Sequence, residues 1–582
     1  MPVTAIFSHG RRAAVSTPKG TMMTCPKILR RFRSMLLAGT VALTLASPAF
    51  AQNAQVDPNK LLEIMVTKGL VTRAEADAMI AEARVAPTPQ VQAAIPPGGV
   101  VGDTQTIPYI PTTVRNQIKA ELRAELASQA STEGWAKPGE VAEWTKRLTL
   151  FGDIRVRGEG DLMGKGNFNQ SFVNFQAINA GAGYNINDLS SQVSAPYLNT
   201  TKNRTRANIR ARLGLRARID SWITGEIRVA TGGDNSPIST NQTLGGNGQF
   251  GKYAIWLDRA NIRLQPVKGA TLDLGRFANP FWTSELLFDE DLNFDGVALS
   301  GRAALNGQLT VFGTLGAFPI FNTDFNFGSN DVGAFSSKDK YLAAAQAGVE
   351  FAASDHVKLA VAASYYEFKN VQGEVSSPCP FDQDACDTDA SRPQFVRTGN
   401  SLFPIRNIDF AGAPNPATAP EVQYFGLASK YRILNAHAAL DLGFFAPVGI
   451  RLEADFVKNL GFDRKLVAAR AVNNLGPGNP GVWAGGDTGW FGNLIIGKSQ
   501  LTESGDWHAS IGYRRIESDA VLDAFTDSDF HLGGTNAKGF ILGGSYAIAK
   551  DTALSARWLS SDAITGIPYS NDVIQLDLTT RF

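Results

Sequence analysis

The sequence predicts an all-β chain: a transmembrane antiparallel β-barrel of 16 or 18 strands, preceded by a short α-helical periplasmic N-terminal segment. Three observations predict it. From about Leu148 onward apolar and polar residues alternate with a period of two through roughly 17 segments. In the last of these, Ile574, Leu576, Leu578, Thr580 and Phe582 share one side and Gln575, Asp577, Thr579 and Arg581 the other, so the strand has a lipid face and ends on an aromatic. Finally, 44% of the residues are hydrophobic, yet mean hydropathy is only −0.10 and no apolar run of helix-spanning length follows the leader, as expected where alternation hides the membrane face. Single-chain bacterial barrels have even strand numbers, hence 16 or 18, a size that leaves a water-filled lumen. A secreted solenoid or sandwich would show a regular repeat, and none is present.

The elements follow in order. Residues 1–51 read as a signal peptide with a long leader: Lys27, Arg30, Arg31 and Arg33 are its basic region, Met35 to Ala46 its apolar region and Ala49-Phe50-Ala51 the cleavage site, with Met22 or Met23 as an alternative start. A transmembrane anchor would need roughly 20 apolar residues, and this run is shorter. The mature chain then starts at Gln52 and is exported to the outer membrane. Residues 52–84 form a helical hairpin, entered at Asp57-Pro58 and again at the Thr72/Glu75 capping box. Residues 85–111 are a proline-rich linker. Residues 112–147 hold an amphipathic helix, with Val114, Ile118, Leu122 and Leu126 on one stripe, and a connection; 148–582 is the barrel.

The formal net charge of +1 gives no concentrated basic field, which argues against nucleic acid as a partner. Cys25 leaves with the leader. Cys379 and Cys386, within Ser376 to Asp389, are expected to pair as a disulfide in an oxidising compartment; a metal site with Asp382, Asp384 and Asp387 has the wrong ligand spacing for zinc.

Within the barrel the sharpest alternation runs from Arg204 to Ile219. Arg204, Arg206, Arg210, Arg212, Arg216 and Arg218 share one face with Asn208 and Gly214, and the other face is Thr205, Ala207, Ile209, Ala211, Leu213, Leu215, Ala217 and Ile219. A cation facing lipid near the midplane costs about 2–4 kcal/mol, so the arginines must line the pore. Arg155 and Arg157 before this strand and Arg228 after it extend the basic wall. Loops are expected near 160–200, 232–251, 277–295, 317–340, 369–420, 459–489 and 517–537, the longer ones extracellular. The segment Gly275 to Gly296 mixes Phe277, Phe281, Trp282, Leu286, Leu287 and Phe288 with Glu285, Asp289, Glu290, Asp291 and Asp295, which is too apolar for a solvated loop. It is expected to fold inward as a constriction whose carboxylates face the arginine file, the alternative being that they merely hold the wall together.

The run Leu274-Gly275-Arg276-Phe277-Ala278-Asn279-Pro280-Phe281, with Leu287 to Leu292 and Asp295-Gly296-Val297, resembles the putative porins of Gram-negative outer membranes. So do Ile118 to Leu122, Gly134-Trp135-Ala136, Glu143-Trp144 and Phe151 to Arg157. The resemblance covers nearly the whole mature chain and implies a general-porin-like barrel without naming a solute. The terminal Phe582 resembles the signal read by the barrel-assembly machinery. The expected function is therefore passive diffusion of small hydrophilic solutes or ions with a mild preference for anions; a structural or adhesive barrel with a plugged lumen is the alternative. The expected partners are outer-membrane lipid, that machinery, small solutes and, by preference, two further copies in a homotrimer.

An enzyme is not expected, because His356, His437, His508 and His531 sit in no catalytic signature. No catalytic residue, cofactor or metal is predicted. The segment Gly492 to Ser499 fits the phosphate-loop pattern, and Gly246, Gly248 and Gly251 the dinucleotide one, but neither is followed by a helix pattern.

Overall fold

The computed structural model describes residues 119–125, 128, 144–187, 196–234, 236–323, 338–476 and 481–582. The expected signal peptide, helical hairpin and linker lie outside the described residues, as does most of the 112–147 segment; residues 119–125 are helical and exposed.

Alternating sequence becomes wall. The first half comprises β1 (Leu148–Met163), β2 (Arg204–Arg218), β3 (Ile223–Ala230), β4 (Trp256–Leu264), β5 (Ala270–Ala278), β6 (Asn293–Ala304), β7 (Leu309–Phe321) and β8 (Lys340–Ser354). The second comprises β9 (Val357–Lys369), β10 (Tyr431–Phe445), β11 (Val448–Asn459), β12 (Thr488–Gly497), β13 (Trp507–Ile516), β14 (Ala537–Ala549), β15 (Thr552–Ala563) and β16 (Ser570–Arg581). Each pairs antiparallel with the next, and β16 closes on β1 from Asp153 opposite Arg581 to Met163 opposite Asn571. The two-residue strand Gln242–Thr243 adds to β2 without entering the wall, so the barrel has 16 strands, the lower of the two expected values.

The faces are inverted relative to a soluble protein. Ile154 and Val156 are 43% and 45% exposed, whereas Arg155 and Arg157 between and beside them are 8% and 2% exposed. Lipid covers the first pair; the second points into the lumen. The same inversion runs through β2, where Leu213 and Leu215 are exposed and Arg210 is buried. Gly492 to Gly497 lie within β12, so the phosphate-loop pattern sits on a strand.

Connections at one rim are short, as at 219–222, 355–356 and 446–447. The opposite rim carries loop 1 (164–203), loop 2 (231–255), loop 3 (279–292), loop 5 (370–430) and loop 7 (517–536). These loops turn inward. Phe281, Leu286, Leu287 and Phe288 of loop 3 and Val521, Leu522 and Phe530 of loop 7 join one buried apolar cluster with the wall residues Phe294, Phe318, Tyr366 and Tyr431. Loop 5 is clamped to loop 7 by Asn400, whose amide donates to the carbonyls of Ser518 (2.6 Å) and Val521 (2.8 Å). Cys379 and Cys386 form a disulfide in loop 5.

Candidate functional site: an arginine wall facing an inward loop

Register decides how charges meet on the lumen face of β1 and β2. Asp153 lies opposite Arg212, Glu159 opposite Arg206 and Asp161 opposite Arg204, but Arg155 lies opposite Arg210. Unlike charges therefore face each other at three levels of the seam, Arg157 faces the neutral Asn208, and at one level two guanidinium groups face each other. Directly opposed like charges repel. Loop 3 reaches this level: Asp291 Oδ1 is 3.5 Å from Arg210 Nη1 and accepts from Arg212 Nη1 at 2.9 Å, and Glu290 is 3.5 Å from Arg210 Nη1. Asp153 bridges Arg210 (3.0 Å) and Arg212 (2.5 Å) from the wall side. Arg155 donates to Asn241 of loop 2 at 2.7 Å and forms no ion pair among the described residues.

Loop 3 is anchored independently of these charges. Gln346 exchanges hydrogen bonds with the backbone of Trp282, the Ser284 hydroxyl donates to Asp455 at 2.6 Å, and Asp289 accepts from the amide of Ser528 at 2.8 Å. Trp282 stacks edge-on against His437, the centroids 4.3 Å apart. Aromatics on the far wall and carboxylates on the near side thus stretch the loop across the lumen.

The loop's carboxylates do not act as one set. Glu290 and Asp291 face the arginine file. Glu285 instead faces Arg514 of β13 and Arg557 of β15, at 3.8 and 3.5 Å. Asp289 faces loop 7. Asp295 requires a correction: it belongs to β6 rather than the loop, lies opposite Arg276 on the register of the outward residues Leu274 and Val297, and bonds Arg276 at 2.8 Å. It is too far along the strand, and on the wrong side of the wall, to line a constriction.

Of the remaining arginines, Arg157 is held by Asp577 (2.8 Å) and Asp529 (3.0 Å), Arg206 by Glu159, and Arg228 by Asp258. Arg216 pairs with Glu226 at 2.7 Å and lies over the Phe151 ring toward the short-turn rim. Arg204 and Arg218, at the two ends of β2, are exposed.

Loop 7 contributes charges that the sequence reading does not single out. Asp527 accepts from Arg514 at 3.1 Å, and Asp529 bridges Arg157 and Arg557. The signal is the mixture of Asp519, Asp523, Asp527 and Asp529 with Val521, Leu522, Phe525 and Phe530, the same combination that marks loop 3. Environment separates these carboxyls. Burial and the neighbouring Asp527 push Glu285 up to about 7, although lumen water still reaches 34% of its side chain. Burial and Asp527 likewise raise Asp289 well above the usual range. Burial also opposes ionisation of Asp291 and Asp529, but Arg210 with Arg212 in the first case and Arg157 with Arg557 in the second outweigh it and hold both carboxyls low.

Residues 56–582 match the model of a family described as putative porin. No curated protein matches the chain. Among solved structures, the chain is similar to the outer membrane channel DcaP of Acinetobacter baumannii (10% identity, 75% of this chain and 97% of that one, TM-score 0.35). It is also similar to Pseudomonas putida OprB at high pH (12%, 75% and 95%, TM-score 0.39) and to Salmonella typhi OmpF in complex with daunomycin (11%, 75% and 97%, TM-score 0.35).

Proposed function

The chain belongs to the putative porin family and forms an outer-membrane channel, and we propose that this channel is water-filled, passes small hydrophilic solutes or ions by passive diffusion and mildly prefers anions. The observation that carries the proposal is the level at which Arg155 and Arg210 oppose each other while Glu290 and Asp291 approach from loop 3. There the wall and the loop set a transverse field across the narrowed lumen, the arrangement by which charged rings select permeating ions. Anions are favoured because on the β1–β2 seam Arg155 and Arg204 have no carboxylate within ion-pair distance among the described residues, against the single carboxylate Asp161 that no arginine engages, whereas Asp153, Glu159, Asp258 and Asp291 are each engaged by arginine. Paired guanidinium groups attract weakly, which suits conduction, since a solute must leave as readily as it enters.

Purified protein in a planar bilayer tests this. The expected result is stepwise conductance with a reversal potential of anion-preferring sign across a KCl gradient. Absence of conductance would favour a structural or adhesive barrel with a plugged lumen, and a cation-preferring sign would remove the charge reading alone.

A further inference from the structure

The extracellular loops and the upper ends of β1 and β2 enclose a cavity of about 620 Å³, lined by segments of loops 1, 5 and 7 and by Tyr569. Its size falls in the roughly 300–1,000 Å³ range of small-molecule sites. Its cations are Arg204, Arg206 and Arg397, and its anions Asp161 and Asp529. Glu159 occupies Arg206, and Arg157 and Arg557 occupy Asp529, so the groups left to meet a solute are Arg204, Arg397 and Asp161. A neighbouring cavity of about 610 Å³ shares Ser239 and Phe395 with it but has the opposite balance: with Asp258 held by Arg228, Asp291 by Arg212 and Arg276 by Asp295, it leaves Asp234 and Asp523 against Lys340. The mouth is thereby divided by charge, and the first chamber is the one suited to an anion.

Arg397 distinguishes this chamber from a merely polar one. Its guanidinium forms no ion pair or side-chain hydrogen bond among the described residues, and Nε is buried without a partner. Yet its backbone is fixed: the amide of Thr535 donates to Thr398 O at 2.9 Å and the Thr398 hydroxyl donates to Gly533 O at 3.1 Å. Gly533 has φ +92°, and a Cβ there would lie 3.2 Å from Arg397 Nε, so glycine leaves the room in which the guanidinium stands. An enclosed guanidinium held in place with donors to spare is the group that recognises a carboxylate. Around it the chamber is aromatic. Arg397 lies 5.4 Å from the centroid of Phe395, and Phe172 packs on Tyr569 with centroids 5.3 Å apart.

We propose that this chamber is a binding station for small aromatic carboxylates, Arg397 taking the carboxylate and the Phe172, Phe395 and Tyr569 wall the ring. The proposal rests on the channel reading above and names the solute class for it. Inorganic phosphate could satisfy the guanidinium but has nothing to offer the aromatic wall.

Single-channel recording of the full-length protein in KCl, with benzoate, acetate, benzamide or phosphate added on the loop side, separates the contributions. The expected result is current interruption by benzoate at a concentration about tenfold or more below that needed for the other three, since the charge-assisted pair and the ring contact are each worth about a tenfold effect or more. Arg397→Gln should raise the benzoate requirement about tenfold, and Phe395→Leu should raise it less. Equal blockade by benzoate and acetate, by benzoate and benzamide, or no effect of Arg397→Gln would each overturn the station. Saturation-transfer NMR with benzoate on the detergent-solubilised protein reads binding without conduction, so a silent bilayer removes the channel reading while this measurement still decides the station. Heat-modifiable gel mobility verifies that each variant is folded.

Discussion

Replacing Asp291 by asparagine removes one charge from the side that loop 3 turns to the arginine file and, beyond that, alters only its contacts with Thr240, which donates to Asp291 Oδ2 through its amide at 3.3 Å and its hydroxyl at 2.9 Å. The carboxylate stands 2.9 Å from Arg212 Nη1 and 3.5 Å from Arg210 Nη1, and its loss leaves both guanidinium groups with Asp153 and Arg210 also with Glu290. Loop 3 should stay in place, because its bonds through Trp282, Ser284 and Asp289 do not involve Asp291. For an ion passing about 8 Å away in water, one unit charge is worth about 0.5 kcal/mol, favourable to an anion once Asp291 is gone and unfavourable to a cation. The two effects add to about 1 kcal/mol, roughly fivefold in the anion-to-cation permeability ratio. Screening at about 0.1 M salt, where the Debye length is about 10 Å, reduces this to roughly twofold, and dilution to about 0.01 M restores most of it.

Reversal potentials across KCl gradients at two mean concentrations measure both the shift and its salt dependence. The matched control is Asp295→Asn, the same chemistry on the outer register of β6, which should leave the ratio unmoved. A silent Asp291→Asn, a shift toward cations, or an equal shift from Asp295→Asn would refute the geometry on which the reasoning stands.

Lumen and lipid faces of β2 can be told apart chemically: Arg212→Cys should react with a small charged thiol reagent in water and Leu213→Cys should not, and the reverse pattern would exclude the assigned register. Selectivity should also depend on pH through Glu285, whose carboxyl is raised to about 7 by burial and by Asp527. Being an acid, it loses its negative charge as pH falls, so the anion preference should grow between about pH 8 and pH 6; in Glu285→Gln this part of the pH dependence should vanish, and its persistence unchanged would assign it to another group.

The barrel was legible because lipid penalises every misplaced cation. Six arginines at alternate positions of β2 have one tolerable orientation, and that single strand predicts the inside of the wall. Strand number is less sharply written, since alternation fixes the faces of each segment but not how many segments pair into the wall. Loop 3 announced its inward fold by mixing aromatics with carboxylates. Loop 7 carries the same mixture, but its destination depends on Asn400 of loop 5, more than a hundred residues away, and no local pattern encodes that contact. Asp295 was misread because the mixed composition continues past the start of β6, where strand parity takes over; element boundaries are the least local of signals.

Register explains why loop 3 meets the wall where it does. Along the β1–β2 seam the wall neutralises itself at Asp153–Arg212 and Glu159–Arg206, so an inserted carboxylate gains little at those levels. At Arg155–Arg210 the wall cannot do so, because alternate residues on one strand are roughly 7 Å apart and the nearest acidic residue of β1 must be shared with Arg212. A positive surplus remains there, and it is here that Asp291 becomes buried, its ionised form held by Arg210 and Arg212 against the cost of leaving water. The wall thus needs the loop as much as the loop needs the wall. On the proposed function, the same reciprocity would keep the site from becoming a trap: Asp153 and Asp291 already engage Arg210 and Arg212, and a passing anion would compete only for the donors they leave.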